Sequence, residues 1–394
     1  MSQEFAYSDA TKGAIAAGFS VGYCLGLAPA GIASARYSPK AVLLIGLVVW
    51  SAAQAASPAG AALSLPALLA ARALMGAGEA AAVPSLQVIA ARFVPSERRS
   101  LFWGILSASL SGGTILAYVL SPPLIESEGW PYVFQLYGAV GAALAVLWAV
   151  AGADMPAASA GAAALASAAQ AEDQSSADDG APPVPWAQIA ASRPVWALAA
   201  AHSCTNFFMY FALSWLPTYF SYQFGLSTAD ASSASLYPFV AGAVGSLVAG
   251  SSCDALVSRG LPLTRARKAM GTIAHGGPLI AMLILALLGS GAGGLQLDRD
   301  QAEALFIGGV GLSAFASAGY GCGAQDISTR LASLLYGGTS VFAVLAGASG
   351  QYLTGQLLDQ YGRDFTPIFE LVVVVEALGL AAWLKWWDSE RVFD

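Results

Sequence analysis

Long apolar stretches recur along the whole chain and constrain its fold more than any other feature of the sequence. About 20 consecutive, mainly apolar residues can cross the hydrocarbon core of a bilayer as a helix. Only 10% of the residues are charged, against about 25% in soluble domains, so we predict an all-α, multi-pass membrane protein. The eleven predicted spans lie near 12–34, 41–57, 65–92, 100–122, 131–152, 194–220, 232–256, 267–289, 302–325, 331–356 and 367–387.

The basic residues are distributed unequally between the two sides of the predicted membrane. Assigning the loops alternately places thirteen of the seventeen Lys and Arg residues on one side, and Lys12, Arg299 and Arg363 on the other. Cytosolic loops carry an excess of positive charge, so we expect the first side to be cytosolic. Its basic residues are Arg36, Lys40, Arg92, Arg98, Arg99, Arg193, Arg259, Arg265, Arg267, Lys268, Arg330, Lys385 and Arg391.

Residues 154–191 interrupt the apolar pattern. They are rich in Ala, Ser and acidic residues, and such a composition cannot bury enough apolar surface to fold alone. We predict a flexible, acidic, cytosolic linker between an N-terminal bundle of five spans (1–153) and a C-terminal bundle of six (192–394). Both halves contain a Gly-rich helix followed by a short basic loop, a repeat typical of two-bundle transporters. A complete repeat requires six spans before the linker, so we expect the first helix to be missing.

The third span, Leu65 to Phe93, carries two charged residues in its interior, Arg72 and Glu79. A charge at the centre of a membrane helix costs at least about 2.5–3.5 kcal/mol, so ionisable residues there indicate function. Seven residues are close to two helical turns, which places both side chains on one face, about 10 Å apart along the axis. Small residues surround them and allow neighbouring helices to approach closely. We therefore predict a polar site that binds an anion at Arg72 and a proton at Glu79; the alternative is a pair of structural contacts with other helices.

The sequence contains no pattern that favours a metalloprotein, a nucleotide-binding protein or an enzyme. The four cysteines lie far apart and lack metal-ligand or CxxC spacing, and the Gly-rich runs lie inside apolar spans with no preceding strand. We predict that the chain is not an enzyme, needs no metal or other cofactor, and does not bind nucleic acid. Among the remaining intramembrane polar residues, we interpret His275 as a packing residue, and leave a functional role open for His202 and Glu376.

Several motifs along the chain resemble those of the major facilitator superfamily, and within it the anion:cation symporter family. The fourth-helix pattern of that family, R-x-L-x-G-x-G-E followed by Pro, is similar to the segment Arg72 to Glu79 with Pro84. The remaining similar motifs are Gly22-Tyr23 with Pro29-Ala30-Gly31, the loop Val94 to Ser100, Gly129 to Phe134, Trp215 to Phe220, and Asp326 to Ala332. The family includes sialin, vesicular glutamate transporters, type I sodium/phosphate cotransporters and plant plastid phosphate transporters.

This resemblance implies a two-bundle fold of about 11 transmembrane helices, twelve less the first, and it implies roles for individual residues. Arg72 is expected to contact the anion and Glu79 to bind the coupling proton. The substrate cavity is expected to include Tyr23, Tyr210, Asn206 and Thr205. The superfamily's loop motif implies a cytosolic gate formed by Asp254 and Arg36. Thr205 stands where vesicular glutamate transporters have arginine, which favours phosphate or another small anion over glutamate.

The resulting functional prediction is a secondary active transporter of a small anion, with inorganic phosphate favoured. Moving one negative charge inward against 100 mV costs about 2.3 kcal/mol, and a co-transported proton or sodium ion removes that cost. We expect rocker-switch alternating access around a site between the two bundles, in a monomer whose partners are its anionic substrate and the bilayer. Two alternatives stay open: an organic-anion transporter of the ascorbate, nucleotide, sialate or glutamate type, and a truncated relative that does not transport. The membrane, whether plastid envelope, plasma membrane or vesicle, is not predicted.

Overall fold

The computed structural model describes residues 4–93, 99–151, 184–289, 297–328 and 331–393, and all regular structure within these ranges is helical. The first half contains α1 (Asp9–Arg36), α2 (Pro39–Leu63), α3 (Leu65–Glu79), α4 (Ala82–Phe93), α5 (Arg99–Glu128) and α6 (Trp130–Ala151). The second half contains α7 (Trp186–Ala191), α8 (Arg193–Phe224), α9 (Thr228–Ser258), α10 (Leu263–Gly289), α11 (Arg299–Ser313), α12 (Gly323–Ile327), α13 (Ala332–Gln360) and α14 (Thr366–Trp386).

Local sequence signals set several helix ends. Ser38 caps α2 ahead of Pro39, and Ser64 caps α3 by accepting a hydrogen bond from the backbone N–H of Ala67. Asp298 and Gln301 form a reciprocal capping box at the start of α11. Gly225, at φ 65°, ends α8 in the left-handed conformation that glycine adopts without strain.

The helices account for the eleven predicted spans and confirm the all-α membrane fold. Seven helical segments in the described ranges are long and apolar enough to cross a membrane, namely those starting at Asp9, Pro39, Trp130, Thr228, Leu263, Arg299 and Thr366. The predicted third span is the pair α3 and α4, and the other three predicted spans correspond to α5, α8 and α13. The predicted ninth span, which begins with α11, continues through two short 3₁₀ turns into α12.

The chain forms two compact units, and the residue ranges of these units differ from those of the two predicted bundles. One unit contains residues 18–107 and 128–189, and we call it the N-unit. The other, the C-unit, contains residues 190–394 together with 1–17 and 108–127. The division therefore assigns the start of α1 and most of α5 to the C-unit. Of the linker predicted at 154–191, residues 154–183 lie outside the described residues, and α7 occupies much of the remainder.

Aromatic packing dominates the core of the C-unit. The ring of Tyr219 lies 5.2–5.5 Å from the rings of Phe306, Phe365 and Phe369, in edge-to-face geometry. Such pairs contribute about 0.5–1.5 kcal/mol each beyond burial of their area. Phe220 is fully buried in the same cluster. The Trp215 to Phe220 motif therefore packs the core, next to the part of α8 that lines a cavity.

Candidate functional site

Arg72 lies within α3 of the N-unit and has no charged partner in direct contact among the described residues. Its guanidinium lies over the ring of Phe19, 5.6 Å from the ring centroid, and one terminal nitrogen is 3.4 Å from the sulfur of Met75. Its Nε is buried and has no hydrogen-bond partner within the described ranges. A guanidinium offers five N–H donors, and leaving buried donors unpaired is costly. Arg72 is therefore suited to receive an anion as a planar, bidentate partner.

Close packing of α1 against α3 fixes the position of this arginine. A Cβ added to Gly76 would lie 2.0 Å from the carbonyl oxygen of Phe19, and one added to Gly22 would lie 1.9 Å from that of Ala73. The prediction that small residues around Arg72 allow close helix approach is thus confirmed. Tyr23 stacks on Phe19 at 6.1 Å, so α1 brings this predicted substrate residue next to the aromatic ring beneath Arg72.

Glu79 is the last residue of α3, where the helix is interrupted. The backbone turns at 80–81 before α4 starts at Ala82, and Pro84 lacks the N–H that would continue the helical hydrogen bonds across the turn. Within the described ranges Glu79 makes no hydrogen bond or ion pair with another side chain. Interrupted membrane helices expose backbone carbonyls that bind coupling cations or protons in secondary transporters. The geometry of Glu79 is suited to that chemistry.

Polar residues of α8 line a cavity of about 530 Å³ in the C-unit. The predicted substrate residues Thr205, Asn206 and Tyr210 all lie in its wall, together with residues of α5, α9, α11 and α13. Thr205 is buried, and Gly347 packs so closely on Tyr210 that an added Cβ would lie 2.3 Å from the ring. The structure thus places Thr205, Asn206 and Tyr210 in one cavity of the C-unit, and Arg72 and Tyr23 each next to the ring of Phe19 in the N-unit.

His202 belongs to the same cavity wall and lies close to two tyrosines. Its ring centroid is 5.1 Å from that of Tyr320 and 5.5 Å from that of Tyr336. The side chain is 8% exposed, and its Nδ1 has no hydrogen-bond partner among the described residues. The i, i+4, i+8 spacing of His202, Asn206 and Tyr210 places them on one face of α8, a signal already present in the sequence. No pattern in the sequence indicated the contributions of Tyr320 and Tyr336.

A second buried pair of ionisable residues joins α10 to α14 in the C-unit. Nδ1 of His275 lies 2.5 Å from Oε2 of Glu376, and both side chains are completely buried. The other polar atoms of the pair, Nε2 and Oε1, have no partner in the part of the chain that the structure describes. His275 therefore does more than pack beside a helix kink, because its imidazole pairs with the carboxyl group of Glu376 on another helix.

The predicted cytosolic gate residues are both exposed. Arg36 is the last residue of α1, and Asp254 lies in the last two turns of α9. The ion pair in this region joins Arg267 to Asp326, with N–O distances of 2.7 and 3.2 Å. Arg267 also donates to the carbonyl oxygen of Ala318, so it ties α10 to the interrupted ninth span. Residues 94–98 of the predicted loop motif lie outside the described residues.

Charged side chains also cluster at the start of α1, within the C-unit. The carboxylate of Asp359 accepts hydrogen bonds from the backbone N–H groups of Asp9 (2.7 Å) and Ala10 (2.8 Å). Lys12 contacts both Asp9 and the hydroxyl of Tyr222. Arg363 lies 4.7 Å from the centroid of the Tyr222 ring. This cluster ties the first turn of α1 to α8 and to the end of α13.

Comparison with known proteins identifies the fold. The sequence pattern of the Major Facilitator Superfamily matches residues 1–350. The structure superimposes on an inward-facing bacterial homologue of the human lysosomal transporter Spinster with a TM-score of 0.70 at 17% identity, covering 97% of this chain and 88% of that one. For a D-xylose–proton symporter the TM-score is 0.71 at 15% identity, with 98% and 90% coverage.

Plant proteins are similar over the full length of this chain. They include a probable anion transporter from Oryza sativa subsp. japonica (31% identical) and, from Arabidopsis thaliana, an ascorbate transporter and a sodium-dependent phosphate transport protein (30% each), all three named as chloroplastic. The whole chain aligns to each and spans 65% of the rice protein, 71% of the ascorbate transporter and 75% of the phosphate transport protein. The chain is thus a multi-pass integral membrane protein of the Major Facilitator Superfamily, within its anion:cation symporter family.

Proposed function

We propose that this protein is a secondary active transporter of small anions, coupled to protons or sodium ions, with inorganic phosphate as the first substrate to test. The observation that carries the proposal is the guanidinium of Arg72, which lies inside an apolar span and lacks an acidic partner in direct contact among the described residues. Because an unpaired charge at that depth is expensive, an anionic ligand would compensate it better than the protein does.

Glu79 supplies the second element of the proposal. It lies on the same helix, about 10 Å along the axis from Arg72, at the interruption between α3 and α4. A carboxyl group in this position gains or loses a proton, or binds a sodium ion, as the anion binds and leaves. The coupled positive charge offsets the cost of moving the anion against an inside-negative potential.

An organic anion is the second candidate substrate, and the cavity of the C-unit favours it. A volume of about 530 Å³ lies within the range of 300–1,000 Å³ that is usual for organic ligands, and is far larger than a phosphate ion needs. Its wall presents hydrogen-bonding groups at Asn206 and His202 and aromatic rings at Tyr210, Tyr320 and Tyr336. The names of the relatives support both candidates equally, since an ascorbate transporter and a phosphate transport protein are each 30% identical to this chain.

Uptake into proteoliposomes tests the proposal. The purified protein is reconstituted with an imposed proton or sodium gradient, and entry of radiolabelled phosphate or ascorbate is measured. We expect Arg72→Gln to abolish gradient-driven uptake and Arg72→Lys to retain a small fraction, because lysine keeps the charge and loses the bidentate geometry. Arg299→Gln is the matched control, since Arg299 is 43% exposed at the start of α11.

The outcomes separate the roles of the two residues. Uptake by Arg72→Gln at the wild-type rate would overturn the assignment of the anion site. Glu79→Gln should leave substrate exchange intact and remove the dependence of uptake on the gradient. If Glu79→Gln keeps a wild-type response to both gradients, the coupling ion binds elsewhere.

A further inference from the structure

A crevice of about 630 Å³ lies on the C-unit where α8 begins and α14 ends. Arg193 is the first residue of α8, whereas Lys385 and Trp386 are the last two of α14. Trp196, Ser203 and Phe342 complete the main part of the wall, which we call the α8–α14 crevice. It is a separate cavity from the one that contains Asn206 and Tyr210, with none of its lining residues in common.

The crevice combines unpaired positive charge with exposed aromatic surface. Neither Arg193 nor Lys385 forms an ion pair or hydrogen bond through its side chain with any other residue that the structure describes. Trp196, Phe342 and Trp386 are 48%, 52% and 38% exposed, and the rings of Trp196 and Phe342 are 6.2 Å apart. The surface would therefore bind a ligand that is anionic at one end and apolar at the other.

The position of the crevice in the membrane selects the class of ligand. Arg193 and Lys385 both belong to the side that carries the excess of basic residues, and hence to the cytosolic side by the distribution of charge. Tryptophans near helix ends occupy the head-group level of a bilayer. Basic crevices between membrane helices on this side bind anionic lipid head groups. A free phosphate ion would use the two cations and leave the aromatic wall uncovered.

We propose that the α8–α14 crevice binds an anionic glycerophospholipid. The lipid phosphate lies between Arg193 and Lys385, and its glycerol and upper acyl region cover Trp196, Phe342 and Trp386. Two basic residues at an anionic leaflet together favour binding by about 2 kcal/mol, which is a preference over a zwitterionic lipid of about thirtyfold. This site does not depend on the identity of the transported anion.

Lipid titration of the full-length protein tests this proposal. The protein is delipidated in neutral detergent and titrated with phosphatidylglycerol, or with phosphatidylcholine of the same acyl chains, while native mass spectrometry counts bound lipid and thermal unfolding reports stabilisation. We expect one retained phosphatidylglycerol per chain and half-saturation at a roughly thirtyfold lower concentration than for phosphatidylcholine. The double variant Arg193→Gln/Lys385→Gln should lose both the retained lipid and the preference.

A matched control removes the same charge from the same predicted side of the membrane. Arg259 and Arg265 are exposed and lie outside the crevice, so Arg259→Gln/Arg265→Gln should keep the wild-type lipid count and preference. The conservative variant Arg193→Lys/Lys385→Arg should also keep them. Equal loss in the control, equal affinity for the two lipids, or the same stabilisation by inorganic phosphate alone would each overturn the proposal.

Discussion

The two pairs of ionisable residues inside the membrane helices differ in whether their members touch. In the C-unit, His275 and Glu376 are 2.5 Å apart on different helices and completely buried. In the N-unit, Arg72 and Glu79 lie two turns apart on one helix, and no ion pair joins them in the described structure. A pair in direct contact compensates itself, whereas separated charges need other partners. On this comparison we interpret the first pair as structural and propose ligand binding for the second.

The largest expected difference between the two pairs is in transport, when both members of a pair are replaced by apolar residues. Arg72→Met/Glu79→Met should lower uptake by about 100-fold or more, because two charge-assisted hydrogen bonds to the anion are lost. His275→Leu/Glu376→Leu should keep uptake within about threefold, because replacing both partners of a buried polar contact by apolar residues is often nearly neutral for stability. Proteoliposome uptake at matched protein density measures both. Loss of uptake in the second variant, with folding intact, would break the comparison and give His275 or Glu376 a role in transport.

Removing one member of the contacting pair should affect stability most. His275→Leu leaves the carboxyl group of Glu376 buried without its hydrogen-bond partner, at an expected cost of about 1–3 kcal/mol. The double variant should recover most of this loss. Thermal unfolding in detergent measures both variants, with Arg72→Met as the control from the other pair. A single variant as stable as the wild type would show that the contact between His275 and Glu376 does not stabilise the helix packing.

Gly76 tests the structural basis of the N-unit pair, because it allows α1 to approach α3 closely next to Arg72. Gly76→Ala should cost about 1–3 kcal/mol, since its Cβ would lie 2.0 Å from a backbone oxygen of α1 and the helices would have to separate. Gly250→Ala is the matched control, because no described atom outside its own stretch of helix lies within 4 Å of the added Cβ, and alanine favours the helix. Measured destabilisation of equal size in the two variants would contradict the close approach of α1 and α3.

The smallest expected effect concerns a carboxylate outside the spans, Asp359. Partial burial raises its pKa, but the hydrogen bonds from Ala10, Ser8 and Asp9, together with Lys12, outweigh that and lower the pKa below the usual range. A lowered pKa in the folded state means that the carboxylate stabilises the protein above pH of about 4, and that this contribution disappears as the pH falls through the folded-state pKa.

Asp359→Asn should therefore lower the melting temperature by about 1–2 °C at pH 7, and by less at pH 3, because exposed ionic contacts contribute little. Asp254→Asn is the matched control, since Asp254 is exposed and forms no ion pair among the described residues, and it should show no such dependence on pH. If the melting temperature of Asp359→Asn stays equally far below that of the wild type at pH 3, or falls further below it, the pKa of Asp359 is not lowered in the folded state.

Part of the candidate site could be found from spacing along one helix. Arg72 and Glu79 lie seven residues apart, which predicts one face of α3, whereas the resemblance to the family indicated Thr205, Asn206 and Tyr210 on α8, the last two of them four residues apart. The same spacing included His202, one turn before Asn206. Its surroundings became clear only from the tertiary structure, in which two rings from distant parts of the chain, Tyr320 and Tyr336, lie close to it.

The sequence by itself determined the all-α membrane fold, the spans and the charged third span, because hydropathy and charge act within single segments that the bilayer selects one by one. Only the tertiary structure decided which segments meet. It paired His275 with Glu376, 101 residues apart, and Arg267 with Asp326, and it assigned the start of α1 to the C-unit. All the helices present similar apolar surfaces, so their neighbours depend on close packing of small residues and on a few polar contacts, which no single segment specifies.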